Sequence, residues 1–171
     1  MALTYTPGGE EDNSYAELAD AEAYFEDRLG SNDNGNWNKT SAGVDRSDTD
    51  KERALITATR RLDEETFRGT KTSSDQALKW PRAGVLDEDG NEFDNNTIPE
   101  RVKQATFIVA LELLRADFLA ENYMNNYEFL STGNFQFKQF TQQSAGRLPS
   151  EAVRLLRHVM TSANGGRLVR A

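Results

Sequence analysis

Residues 105–114 of this chain, ATFIVALELL, constrain its fold most. Phe107, Ile108, Val109, Ala110, Leu111, Leu113 and Leu114 leave almost no polar face if the segment is helical, and a helix apolar all round must be covered all round. Pro99 suits the first position of a helix and Glu100 its first turn, so the spacing predicts a helix over about 99–121, roughly 34 Å long at about 1.5 Å per residue. The stretch is too short to span a bilayer, and Thr106 and Glu112 interrupt it. Its cover must come from the rest of the chain or from neighbouring copies. The rest looks sparse, because hydrophobic residues are 37% of the 171 before its 12 glycines are added, against about 45–50% in ordinary soluble domains with Gly included. Neighbouring subunits are therefore expected to supply part of the cover.

Two amphipathic helices can contribute. Leu18, Ala21, Phe25 and Leu29 recur at spacings of three and four after Ser14, and Gly30 fits the stop. Ala54, Leu55, Ala58 and Leu62 form a second stripe over about 49–66, which Ser47, Asp48 or Thr49 can cap. Pro149 and Ser150 open a last short helix over about 149–161, with Ala152, Leu155, Leu156 and Val159 inward. Residues 31–47 and 67–97 read as loops, and Trp37 and Trp80 within them need burial. Residues 127–141 resemble two short strands around Gly133–Asn134, with Phe135 and Phe137 alternating with polar neighbours. The expected fold is mostly α: a small bundle of three main helices and a C-terminal helix, with a long loop and a short β-ribbon or extended arm. Residues 1–13 read as a flexible N-terminal arm, 14–121 as the helical domain, and 122–171 as a C-terminal arm ending in a basic tail.

Net charge is −8, unevenly spread. The last 41 residues carry six cations against Glu151 alone, which leaves −13 for the first 130. An acidic body repels DNA, and a basic tail attracts polyanions or acidic protein surfaces. No cysteine is present, so disulfides and thiolate sites are excluded. No basic start followed by an apolar run marks a secretory signal.

Catalytic constellations are missing. His158 is the sole histidine and sits among arginines, as a last-turn helix residue does. One His and no Cys rule out His-based metal sites and Cys–His nucleophile pairs within one chain. The glycines at 8–9 and 165–166 lack phosphate-loop spacing. Asp87-x-Asp89-Gly90 lacks the ligand order of a calcium loop and reads as a β-turn. The expectation is no enzyme, no cofactor and no metal. Phe135, Phe137 and Phe140 beside Lys138 offer thin support for a base-stacking platform.

An ordered set of short motifs carries a resemblance: Ser14-Tyr15-x-x-Leu18 with Ala21 and Ala23-Tyr24-Phe25, the ATRRLD stretch closing Ala54–Leu62, Phe67-Arg68-Gly69, Gln76-Ala77-Leu78-x-Trp80-Pro81-Arg82-x-Gly84, and Ile98-Pro99-x-x-Val102-Lys103-Gln104-Ala105. The chain resembles, over about residues 14–115, phage proteins catalogued as DnaT-like single-stranded-DNA-binding proteins, which look like relatives of head–tail connector (head-completion) adaptors. That resemblance implies a non-catalytic virion protein, assembled in the host cytoplasm as a homo-oligomeric ring, commonly a dodecamer. The ring would join the portal protein to a tail or nozzle protein, with DNA passing through unrecognised and no membrane involved. On this reading Phe129, Phe135, Phe137, Phe140, Arg147, Arg154, Arg157, Arg167 and Arg170 contact the portal or a neighbouring subunit, and Trp80, Pro81 and Arg82 hold the fold. Arg68 and Arg82 are expected to pair with carboxylates of the body. The alternative is a single-stranded-DNA-binding accessory protein of phage replication; the net acidity of the matched region and the lack of an evident basic–aromatic groove weigh against it.

Overall fold

A computed structural model describes residues 2–28, 33–115 and 148–161, together with the main chain of 129–132 and 135–138. The described chain is mostly helical, in the order α1 (Leu18–Glu26), α2 (Asp33–Asn38), α3 (Asp48–Asp63), β1 (Thr70–Lys71), β2 (Arg82–Ala83), α4 (Glu100–Arg115), β3 (Phe129–Thr132), β4 (Phe135–Lys138) and α5 (Ser150–Leu156). Each strand pair is a separate antiparallel ribbon. The expected 127–141 ribbon is present, with Phe129 opposite Lys138 and Thr132 opposite Phe135. Among the described residues no helix is long and apolar enough to cross a membrane.

α4 is the central helix. Val102 and every residue from Ala105 to Leu111 are buried, and α3 and α5 pack along it, with α1 and α2 at its flanks. Single-chain elements therefore cover the apolar segment, which removes the argument that neighbouring subunits must do so. Three features of the sequence hid this cover. Residues 33–38 form a helix despite their polar composition, because Trp37 is fully buried and stacks on Phe25 with ring centroids 4.7 Å apart. Lys51, also buried, lies 5.9 Å from the Trp37 ring and bonds Glu22 and Asn38, each at 2.9 Å. Asp33, at the start of α2, takes Arg28 at 2.9 Å and Arg115 at 3.3 Å, while Arg28 also chelates both oxygens of Glu151 at 2.9 Å. One charge network thus ties α1, α2, α4 and α5 at the same end of the bundle.

Ser47 caps α3, accepting the Asp50 N–H at 3.2 Å, as its residue type favours. The N-terminal residues, expected as an arm, form a closed turn. Asn13 Oδ1 accepts the Thr4 N–H and its amide donates to the Ala2 carbonyl. The buried Asp12 carboxylate accepts from Thr6 and Gly9. Leu3 and Tyr5 pack on the core.

Candidate functional site

Residues 67–84 hold four cations, Arg68, Lys71, Lys79 and Arg82, against Asp75 alone. In a chain of net charge −8 that excess is local, and the fold concentrates it further. β1 and β2 pair Thr70 with Ala83 and Lys71 with Arg82. Two like charges directly opposite each other destabilise a ribbon, so other forces must close this corner.

They are apolar at its base and polar around its rim. Trp80 is 1% exposed and meets the buried Phe67 edge-on, centroids 5.7 Å apart, while Val85 fills in beneath. Gln76, 3% exposed, uses its whole amide: Oε1 accepts the Thr72 and Ser73 N–H groups at 3.0 Å, and Nε2 donates to the Leu78 and Pro81 carbonyls at 2.8 and 3.1 Å. A buried amide so satisfied carries no desolvation penalty and fixes a loop that has no regular structure. Gly69 lies at φ +71°, and a Cβ there would stand 2.2 Å from the Ala83 carbonyl oxygen, so only glycine lets β1 approach β2. The segment just after α5 closes the back: the Arg68 N–H bonds the Val159 carbonyl and the Thr161 N–H the Thr66 carbonyl, both at 2.9 Å.

The cations find carbonyls here, not carboxylates. Arg82 donates Nε–H to Arg68 O at 2.6 Å and its other N–H groups to Lys79 O, Phe67 O and Gly69 O. Burial pulls its pKa below the ordinary arginine value, with Tyr15 and Asp63 opposing; a guanidinium stays charged nonetheless. Lys79 Nζ bonds Glu65 O at 2.8 Å, and its N–H bonds Asp63 Oδ1 at 3.0 Å. Asp63 also accepts the Tyr15 hydroxyl, and burial and that carboxylate push the phenol pKa upward. Lys71 Nζ rests on Gln76 O at 3.0 Å. Among the described residues none of the four cations lies within ion-pair distance of a carboxylate, whereas Arg28, Lys39, Lys51, Arg101 and Lys103 all do. The expectation that Arg68 and Arg82 pair with carboxylates is thus corrected, because main-chain carbonyls reach Arg82 first. Thr70, Thr72, Ser73 and Ser74 are exposed around the same rim.

The other sequence candidates separate. Trp80 and Pro81 are buried and Arg82 knits four carbonyls, all within the corner. Arg154 and Arg157 are exposed on and just after α5, and Arg154 lies 3.7 Å from Glu151. For Phe129, Phe135 and Phe137 only the strand positions are described, and Phe140, Arg147, Arg167 and Arg170 lie outside the described residues. His158 sits 3.2 Å from Glu88, which also takes Arg101. Asp87 spends its carboxylate on the Asp89 and Asn91 N–H groups of its own turn, and those bonds hold its pKa low. Lys71 and Lys79 were not singled out in the sequence; the signal for them was the cation excess over residues 67–84, masked by the acidity of the whole.

A family model of DnaT-like ssDNA binding proteins matches residues 1–171. The chain belongs to the DnaT-like ssDNA-binding protein family. No curated protein matches it, and no solved structure does. Membership extends the resemblance of residues 14–115 to the full chain and corrects the function drawn from it. The matched family is named for single-stranded DNA, not for portal adaptors. The connector reading, its dodecameric ring and its portal and tail partners are therefore overturned. The contact role given to Phe129, Phe135, Phe137, Phe140, Arg147, Arg154, Arg157, Arg167 and Arg170 was drawn from the connector reading, and only Arg154 and Arg157 among them have described side chains. The physical error was to average charge over the matched region, where residues 67–84 carry four cations against Asp75 alone.

Proposed function

We propose that this chain binds single-stranded DNA as a non-enzymatic accessory protein. Membership of the DnaT-like ssDNA-binding family over the whole chain carries the reading. The corner of Arg68, Lys71, Lys79 and Arg82 supports it, since an acidic protein can hold a polyanion only where its cations are local and unneutralised. A sole histidine and the lack of cysteine give acid–base and nucleophilic chemistry little to work with, which supports an accessory role. Retention of a labelled single strand by the purified full chain at physiological salt, with an equal mass of duplex competitor, tests the reading. Binding that survives the competitor is expected; no retention down to low salt would refute it.

A further inference from the structure

The binding function leaves open where on the protein a strand lies and which part of it is read. Resting on that function, we infer that the sugar–phosphate backbone of single-stranded DNA runs over the corner of residues 67–84, with Arg68, Lys71 and Lys79 meeting its phosphates and Arg82 as a fixed charge beneath them. Three observations converge. Lys71, Lys79 and Arg82 bond carbonyls and none of the four cations lies within ion-pair distance of a carboxylate among the described residues, so no carboxylate has to be displaced when a phosphate arrives. Lys71 stands opposite Arg82 in the ribbon, a like-charge pair whose repulsion an anion between them relieves. The exposed Thr70 and Ser73 border the same charges, while Thr72 and Ser74 donate their hydroxyls to Asn95 O and Asp75 Oδ1; hydroxyl side chains are common phosphate donors.

The corner also states what it does not read. Its aromatic residues, Phe67 and Trp80, are 5% and 1% exposed and turned into the core, so neither presents a face for a base to stack on. Stacking and base-edge contacts are the sequence-reading and base-holding devices of single-strand binders. A corner with cations and hydroxyls alone recognises phosphates, whatever the sequence. Three phosphate contacts contribute a slope of roughly −2 in log affinity against log salt, at about −0.7 per contact on single strands.

The test is fluorescence anisotropy with labelled 30-nucleotide strands and the full chain, titrated across salt. The double variant Arg68→Glu/Lys71→Glu is expected to bind at least about tenfold more weakly and to show a shallower salt slope, by about 1.4 for the two lost contacts. Its thermal melting should stay near that of the parent, since both side chains are exposed; Arg68→Gln/Lys71→Gln, with the same direction and a smaller loss, covers the case in which the acidic variant misfolds. Charge reversal at Arg53, exposed on α3 and paired with Asp50 at 3.5 Å, should leave binding unchanged. Parent binding that both corner variants retain in full would place the DNA elsewhere and overturn the inference while the family function stands. A parent that binds no strand would overturn both. Affinities differing more than tenfold among homopolymer strands would overturn backbone-only recognition, and equal capture of polyglutamate would reduce the corner to a general cation patch.

Discussion

α4 and the 67–84 corner are both well packed, but by different means. α4 is held by area: Phe107, Ile108, Val109 and Leu111 are buried against α3 and α5, and no polar group decides their places. The corner has Phe67, Leu78, Trp80, Pro81 and Val85 beneath it, and its shape comes from one amide, one guanidinium and one glycine. Apolar packing tolerates similar volumes, whereas a polar bracket requires each donor to meet its acceptor. The core can therefore vary without changing the surface. The corner cannot vary without moving the cations it carries.

Truncating a large aromatic gives the largest effect and treats both regions alike. Phe107→Ala and Trp80→Ala should each cost about 3–5 kcal/mol in denaturant unfolding. They should part in binding: below its unfolding midpoint the Phe107 variant keeps its affinity for a single strand, and the Trp80 variant loses affinity with stability. Equal retention by both would show the corner to be no more sensitive than the core.

Gln76→Ala isolates the polar bracket. It leaves two N–H groups and two carbonyls without their partner, at a cost of about 2–4 kcal/mol after partial hydration. Strand affinity should fall with the loss of loop geometry, although Gln76 carries no charge. Denaturant unfolding and anisotropy on the same preparation check both effects.

A smaller effect comes from the N-terminal turn. The Gln76–Ala77 peptide has Lys71 Nζ on its carbonyl and donates its N–H to Gly9 O, both at 3.0 Å. The exposed Glu10 and Glu11 follow Gly9 directly. One peptide thus links the Lys71 contact to that turn, so the two carboxylates weaken the local positive potential, an effect that salt screens over roughly 8 Å at physiological strength. Glu10→Gln/Glu11→Gln should tighten strand binding about two- to threefold at low salt, and the gain should fade as salt rises. Unchanged low-salt affinity would separate the turn from the corner electrically.

The smallest effect is the titration of Asp12. Burial raises its pKa, and the Thr6 and Gly9 N–H groups oppose the rise without cancelling it. With the folded pKa above the unfolded one, the folded state takes up a proton as pH falls through the range just above an ordinary aspartate. The stability from this group is complete below the unfolded pKa and is lost as pH rises through the folded one. A carbon-detected NMR titration should place Asp12 above the exposed aspartates, and a value at or below theirs would contradict the burial argument.

Where periodicity was strong, the helices were legible. α4 and α5 lie inside their expected spans and α3 starts one residue before its own, because apolar residues at spacings of three and four define a face without reference to the rest of the chain. α2 was not legible: its sequence is DNGNWN, and what makes it a helix is Trp37 on Phe25 and Asp33 between Arg28 and Arg115. The need to bury Trp80 was legible too, and the turn at Asp87 with it, since a large indole and an Asx turn carry their own requirements.

The sequence by itself determined that the chain is mostly helical and that one helix must be central. Tertiary structure alone decided who covers that helix and where the charge ends up. Cover depends on total packing, and the four other described helices enclosed α4 within one chain despite the low apolar fraction. Charge placement depends on contacts between residues far apart in sequence. Lys71 and Arg82 face each other because Gln76 closes the loop between them and Gly69 admits the Ala83 carbonyl. Neither event has a period or a composition, so neither can be read before the chain is folded.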